Sequence, residues 1–464
     1  MRGIVMERKN AWLSYTDEQL NEIETLSKNY RRFLDMGKTE RECVSFTIDM
    51  AKKHGYMDLN DCIANNKKLQ PGDKVYANCM GKAIALFLIG KKPIEQGMNI
   101  LGAHIDSPRI DVKQNPLYED SEFVLLDTHY YGGIKKYQWV AIPLAIHGVV
   151  AKKDGTVINV VIGEDENDPV VGITDLLIHL SADQMQKTAA KVVEGESLDV
   201  LIGSKPKKDV EKEAVKTYIL DILKEKYGFE EEDFLSAELE VVPAGKARDF
   251  GLDRSMVMGY GQDDRVCAYT SLEAILEVND AEKTCCCILV DKEEIGSVGA
   301  TSMDSRFFEN TIAEIMNLTG EYSELKLRRA LTNSKMLSSD VSAAFDPLYS
   351  SVYEKKNTAF FGYGVVFNKF TGARGKGGSN DANAEYISEI RRIMDDNNVR
   401  FQTAELGKVD VGGGGTIAYI SANLGMQVID SGVAVLSMHA PWEITSKSDI
   451  YEAKKCYMAF LKNA

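Results

Sequence analysis

Cys285-Cys286-Cys287-Ile288-Leu289-Val290-Asp291-Lys292-Glu293-Glu294-Ile295-Gly296 is the stretch on which the reading of the whole chain turns. Six small or apolar residues in succession, without helical spacing, mark a strand buried on both faces of a parallel sheet. That strand runs straight into two adjacent carboxylates and a glycine. In open α/β sheets the chemistry lies just beyond the carboxyl ends of strands. Neighbouring glutamates placed there can divide their labour, one holding a metal and the other handling a proton. For an isolated Glu-Glu the plain alternative is a solvated acidic turn. What the other strand ends carry decides between the two.

Working outward, the N-terminal region is helical. Thr16 with Gln19, and Thr39 with Glu42, each match the capping box that satisfies free amides at a helix start. Lys74–Met80, Ala83–Ile89 and Met98–Asp106 read as strands. From about Asn115 short alternating strands take over (Phe123–Leu126, Trp139–His147, Val157–Ile162), followed by a charged amphipathic helix, Asp209–Tyr227. Strand–helix alternation returns near Ala247, with strands at Thr284–Asp291, Ser334–Asp340, Gly364–Phe370, Val399–Glu405 and Val428–Met438. Helices are expected at Arg265–Val278, Arg306–Leu318, Asp381–Asn397 and Asp449–Lys462. The fold class is therefore α/β, with a mixed, largely parallel sheet sandwiched by helices. A β-rich domain, residues 115–246, is inserted into an α/β domain made of 1–114 and 247–464.

Composition narrows the function. A chain of 464 residues is long enough for two domains, and its net charge of -15 argues against nucleic acid or an anionic membrane as partner. Residues 1–15 show no apolar leader region, and the longest apolar run, Ala83–Ile89, is too short to span a bilayer. Eight cysteines, three of them consecutive and none in a CxxC pair, fit small hydrophobes in a reducing compartment. The expected location is the cytoplasm.

Metal-ligand residue types recur where strands end. His104 and Asp106 close one strand, Asp263 and Asp264 precede a helix, Glu293 and Glu294 follow the apolar run, Asp340 closes another strand and His439 a further one. Each alone has an ordinary explanation: a structural histidine, an N-cap aspartate, a surface pair. Together, imidazole and carboxylate suit zinc, manganese or cobalt. Two neutral histidines with anionic Asp263, Glu294 and Asp340 give three negative charges against the four of two divalent ions, and a bridging hydroxide completes the balance. Asp106 lies on the same strand face as His104 and can accept its other ring N–H. Glu293 is then available as general base.

The segments Gly102-Ala103-His104-Ile105-Asp106-Ser107-Pro108, Asp291-Lys292-Glu293-Glu294-Ile295-Gly296-Ser297, Ser339-Asp340 and Ser437-Met438-His439 resemble the signature segments of the aspartyl aminopeptidase/aminopeptidase I family of dinuclear metallopeptidases. The resemblance spans nearly the whole chain, in the family's order. It implies that one metal takes His104, Asp263 and Asp340, and the other Asp263, Glu294 and His439. Asp263 bridges, Glu293 is the acid/base and Asp106 supports His104. It also implies that the inserted domain makes a dimer contact, that dimers build a tetrahedral dodecamer, and that His179 reaches a neighbour's active site to hold the tetrahedral intermediate. A half-buried structural histidine is the alternative for His179. Where many members have Asp-Asn this chain has Asp263-Asp264, and the bridging role falls on the first.

The expected function is thus a two-metal aminopeptidase, with zinc foremost and cobalt or manganese as alternatives, acting on peptides with a free N-terminus. A metal-bridging hydroxide is the expected nucleophile. A related two-metal carboxypeptidase, dipeptidase or deacylase would use the same ligands, and a catalytically silent assembly scaffold would need none of them. Two further loops invite a role. Gly412-Gly413-Gly414-Gly415 lacks the lysine of a phosphate loop but permits close backbone approach to a substrate. Arg374-Gly375-Lys376-Gly377-Gly378-Ser379-Asn380 is basic and hints at an acidic first residue. The family includes members selective for acidic residues and others that accept neutral ones.

Overall fold

Cys285–Val290 is the fourth strand of a nine-stranded sheet, and all six of its residues are buried. Cys285, Cys287 and Leu289 enter one apolar cluster, while Cys286, Ile288 and Val290 enter another on the opposite face. Burial on both faces is why the sequence shows a continuous apolar run here and no alternation. The computed structural model describes residues 9–464, so part of the stretch 1–15 read for a leader lies outside the described residues.

The sheet order is Met57–Asp58, Lys74–Cys79, Ala83–Leu88, Cys285–Val290, Asn99–His104, Lys335–Ser339, Gln427–Gly432, Val365–Asn368, Phe401–Thr403. The four strands from Cys285–Val290 to Gln427–Gly432 run parallel, and antiparallel pairings lie to either side of them. The sheet is mixed and largely parallel, as expected. Helices Asp17–Met36, Glu40–Lys53, Gln262–Glu277, Ala384–Asp396 and Lys447–Asn463 supply one apolar cluster. Leu59–Ala64, Phe307–Thr319, Glu324–Thr332 and Ala418–Asn423 supply the other. Burying each large aliphatic side chain stabilises the fold by roughly 1.5–3 kcal/mol. Both expected capping boxes form, at Thr16/Gln19 and Thr39/Glu42.

The chain divides into two compact units. One comprises the residues up to Asp106 with Ala247–Met438 and Glu443–Ala464. It contains the large sheet and a five-stranded sheet ordered Arg248–Phe250, Met256–Gly259, Glu443–Ser446, Ala434–Leu436, Ser342–Ala343. The other, Ser107–Lys246 with His439–Trp442, is built on six strands, every neighbouring pair antiparallel. Among the described residues no helix is long and apolar enough to cross a membrane.

Several elements differ from the sequence reading for identifiable reasons. The strand expected at Trp139–His147 begins only at Leu144, because Ala141 has φ +58 and Pro143 supplies no N–H. The helix expected from Asp209 starts at Ala214, after positive-φ residues Asp209 and Glu213. Val428–Met438 is two strands, Gln427–Gly432 in the large sheet and Ala434–Leu436 in the smaller one. The break follows Gly432, where a Cβ would lie 1.7 Å from the Asp340 carbonyl oxygen. Helix Glu324–Thr332, capped by Ser323, was not anticipated.

Candidate metal centre

Strand register brings the first candidate residues level. Val290 pairs with His104, and Ser338 pairs with Gly102 two residues earlier. Asp340 is two residues beyond Ser338, so it arrives beside His104 at the carboxyl edge. Asp263 comes from a different element. It opens the helix Gln262–Glu277 after Gly261 (φ +70), with both Asp263 and Asp264 in non-helical conformations. Glu293 and Glu294 sit on the single turn Glu293–Ile295, bounded by Lys292 (φ +69) and Gly296 (φ +93).

These side chains converge. His104, Asp263 and Asp340 each present a ligand atom within 4.8 Å of the others, as do His104, Glu293 and Glu294. His104 Nε2 is 3.2 Å from Asp263 Oδ1 and 3.9 Å from Glu293 Oε2. Its Nδ1 is 3.0 Å from the Asp106 main-chain oxygen and 3.3 Å from Asp106 Oδ1. A carbonyl oxygen can only accept, so Nδ1 carries the proton and Nε2 the lone pair that could hold a metal. The Asp106 carboxylate has a second task. Its oxygens accept the N–H groups of Glu293 and Glu294, each at 3.1 Å, so one buried residue orients both the imidazole and the glutamate turn.

The donor set suits divalent cations. Burial, then the charges of Asp263 and Asp264, push the Asp340 carboxyl well above the usual carboxylate range. Burial pulls the His104 imidazole down, but hydrogen bonds to Asp106 and Asp263 outweigh it and the net shift is upward. Carboxylates packed this closely beside a histidine must take up either protons or cations to stay buried. Imidazole nitrogen with carboxylate oxygen is the donor chemistry of zinc, manganese and cobalt.

Asp264 does not join these groups. It is fully buried, and its Oδ2 accepts the main-chain N–H of His104 at 3.4 Å. Burial foremost raises its carboxyl well above the usual range. His439 follows the strand Ala434–Leu436 but belongs to the short stretch His439–Trp442 grouped with the second unit. There its Nδ1 donates to the Gly133 carbonyl at 2.8 Å, so Nε2 carries the ring's lone pair. His179 is exposed on the single turn Ile178–Leu180, so the half-buried alternative does not describe it.

The two glycine-rich loops have local explanations. A Cβ on Gly412 would lie 1.8 Å from the Leu406 carbonyl oxygen, and one on Gly413 (φ +129) 2.4 Å from Ala373 Cα. These glycines let three loops pack backbone to backbone. Lys376 Nζ lies over the Phe370 ring and 3.2 Å from Asp381 Oδ2, and Lys369 pairs with the same carboxylate. Part of the loop's positive charge is thus neutralised internally. One residue of the site escaped the sequence reading altogether: Glu443, buried, accepts the N–H of Asp263 at 3.0 Å.

Comparison with known proteins agrees with this geometry. Residues 33–461 match the family described as Aminopeptidase I zinc metalloprotease (M18). A probable M18 family aminopeptidase 1 of Clostridium acetobutylicum is 64% identical over 461 residues, 99% of each chain. The crystal structure of aminopeptidase I from Clostridium acetobutylicum superposes with a TM-score of 0.93 at 63% identity, covering 99% of this chain and 100% of that one. An M18 aminopeptidase from Thermotoga maritima gives 0.94 at 46% identity, with the same coverage. Buried histidine and carboxylates at the carboxyl edge of the sheet, and likeness along essentially the full length, place the chain in the aminopeptidase I family of zinc metalloproteases, as a metallo-aminopeptidase.

Proposed function

We propose that the protein uses two divalent ions, zinc foremost, to release the first residue of peptides with a free N-terminus. One ion takes His104, Asp263 and Asp340, and the other takes Asp263, Glu294 and His439, with Asp263 common to both. The observation that carries this reading is the approach of His104, Asp263 and Asp340 within 4.8 Å at the carboxyl edge of the sheet. Bound there, such ions polarise the scissile carbonyl and supply hydroxide at neutral pH.

The chain's own groups do the rest. Asp106 fixes the His104 tautomer and holds the amides of Glu293 and Glu294, which anchors the turn that carries both glutamates. Glu293 takes the proton of the attacking water and returns it to the leaving amine. Distance alone also allows Glu293 to serve as a ligand, because it lies near His104 and Glu294. The assignment as acid/base follows the family resemblance.

The inserted domain, Ser107–Lys246, is proposed to join subunits into a dimer, with His179 of one steadying the oxyanion in the other. Leu176, Leu177, Ile178 and Leu180 beside it are all exposed, which supports a covered role for this segment. A Saccharomyces cerevisiae protein of the same fold (20% identity, TM-score 0.75) has been solved as a dodecamer, and a dodecamer is the proposed assembly here. The proposed compartment is the cytoplasm, where the eight free cysteines, seven of them buried, stay reduced.

Metal stripping, followed by restoration of zinc, cobalt or manganese in turn, tests this reading. The assay is a panel of aminoacyl substrates with acidic, basic and aliphatic first residues, plus one N-acetylated peptide. The restored enzyme should cleave free N-termini only. Release of the C-terminal residue from the blocked peptide would contradict the reading.

A further inference from the structure

We infer that Glu443 is a positioning residue that sets the bridging carboxylate and holds the metal pair through it. The inference rests on the two-metal reading above. It begins with an unmet need at a helix start. The first N–H groups of a helix have no partner within it, and a capping side chain normally serves them. Here the residue before the helix is Gly261, which has no side chain to offer. Glu443 Oε2 reaches in from another strand and accepts the N–H of Asp263 at 3.0 Å, ahead of the regular helix because Asp263 and Asp264 are themselves non-helical.

The surrounding contacts fix where that oxygen stands. Glu443 opens the strand Glu443–Ser446 and pairs with Gly259, in the strand that leads into the Asp263 turn. Gln262 Nε2 donates to the Glu443 carbonyl at 2.6 Å, and Tyr30 Oη donates to Gln262 Oε1 at 3.2 Å. Main chain and side chain of Glu443 therefore grip two consecutive residues, the second being the proposed bridge. Asp263 departs from helical geometry (φ −78, ψ 107), and its Oδ1 lies 3.2 Å from His104 Nε2. Glu443 is 1% exposed, and a carboxylate that far from water must be compensated by hydrogen bonds and positive charge. A divalent pair held by Asp263 and its neighbours would add positive charge close to it. The coupling runs both ways, so the ions are held more tightly because Glu443 is there.

Direct metal titration separates this role from simple scaffolding. Wild type, Glu443→Gln and Glu443→Ala are stripped of metal, compared by circular dichroism, and titrated with zinc against a competing chromophoric chelator. Glu443→Ala should bind zinc about 10–100-fold more weakly, the range typical of residues that orient metal ligands. Glu443→Gln keeps an oxygen for the Asp263 N–H but loses the charge, and should fall between the two. Folded variants that both titrate like wild type would overturn the inference. If Glu443→Ala does not fold, wild-type affinity in Glu443→Gln alone overturns it. Failure of wild type itself to bind zinc would instead bring down the metal reading on which this one stands.

Discussion

Glu293 and Asp263 carry the sharpest expectations at the scale of single residues. Replacing Glu293 by Gln should lower turnover about 10²–10⁴-fold, the usual contribution of a positioned acid/base. Metal content should stay at the wild-type level. Loss of an ion from that variant would instead make Glu293 a ligand, which its distance to His104 permits. Asp263→Ala should lose both ions together, and elemental analysis showing one fully retained would remove the bridge. Asp430 gives a test away from the ligands. It is 2% exposed, accepts from Thr416 Oγ1 at 2.6 Å, and burial pushes its carboxyl up to about 7. An unfolded aspartate titrates near ~3.9, so between those values only the folded chain keeps the proton. Stability therefore falls as pH rises across that window. Asp430→Asn does not titrate, so melting curves should shift in its favour between pH 5 and pH 8, by on the order of 1–3 kcal/mol. A pH-independent difference would count against a buried, protonated Asp430.

At the scale of elements, the strand Cys285–Val290 is the one the large sheet can least spare. It pairs with Ala83–Leu88 on one side and Asn99–His104 on the other, and its side chains divide between two apolar clusters. Leu289 is fully buried, and Leu289→Ala should cost about 2–5 kcal/mol in denaturant unfolding. A cost below ~1 kcal/mol would mean that this part of the sheet is loosely packed. Elements of this kind were legible in the sequence because two-sided burial leaves a run of apolar letters. His104, Asp340 and Glu294 were legible for a related reason, since polar residues stand out where such runs stop. Other features were hidden. The division of Val428–Met438 into two strands depends on the approach of Gly432 to Asp340, which no local pattern announces. Glu443 acts from 180 residues beyond Asp263, so sequence spacing could not connect them. Which ion each ligand serves came from family resemblance and not from the residues.

At the scale of the whole molecule, the second unit presents an exposed apolar stretch, with Leu176, Leu177, Ile178, Leu180 and Met185 each between 47% and 69% exposed. Isolated surface leucines are ordinary, but five within ten residues call for a covering surface. Replacing Leu177 and Ile178 together by Asp should shift the particle to a smaller species in light scattering. If His179 acts across subunits, activity should fall with assembly while zinc binding persists. A variant that stays fully assembled would move the contact elsewhere.

The strand order also governs how the molecule is made. Asn99–His104 is synthesised early, yet its sheet neighbours, Cys285–Val290 and Lys335–Ser339, leave the ribosome only after Ser107–Lys246 has been translated. Ala83–Leu88 waits with it, because the same late strand must slot between them. Nascent chains halted before Cys285 therefore carry Ala83–Leu88 paired on one side only, Asn99–His104 without either sheet neighbour, and no metal cradle. Such intermediates expose apolar strand edges, so chains halted there should aggregate more readily than full-length chains in a pelleting assay.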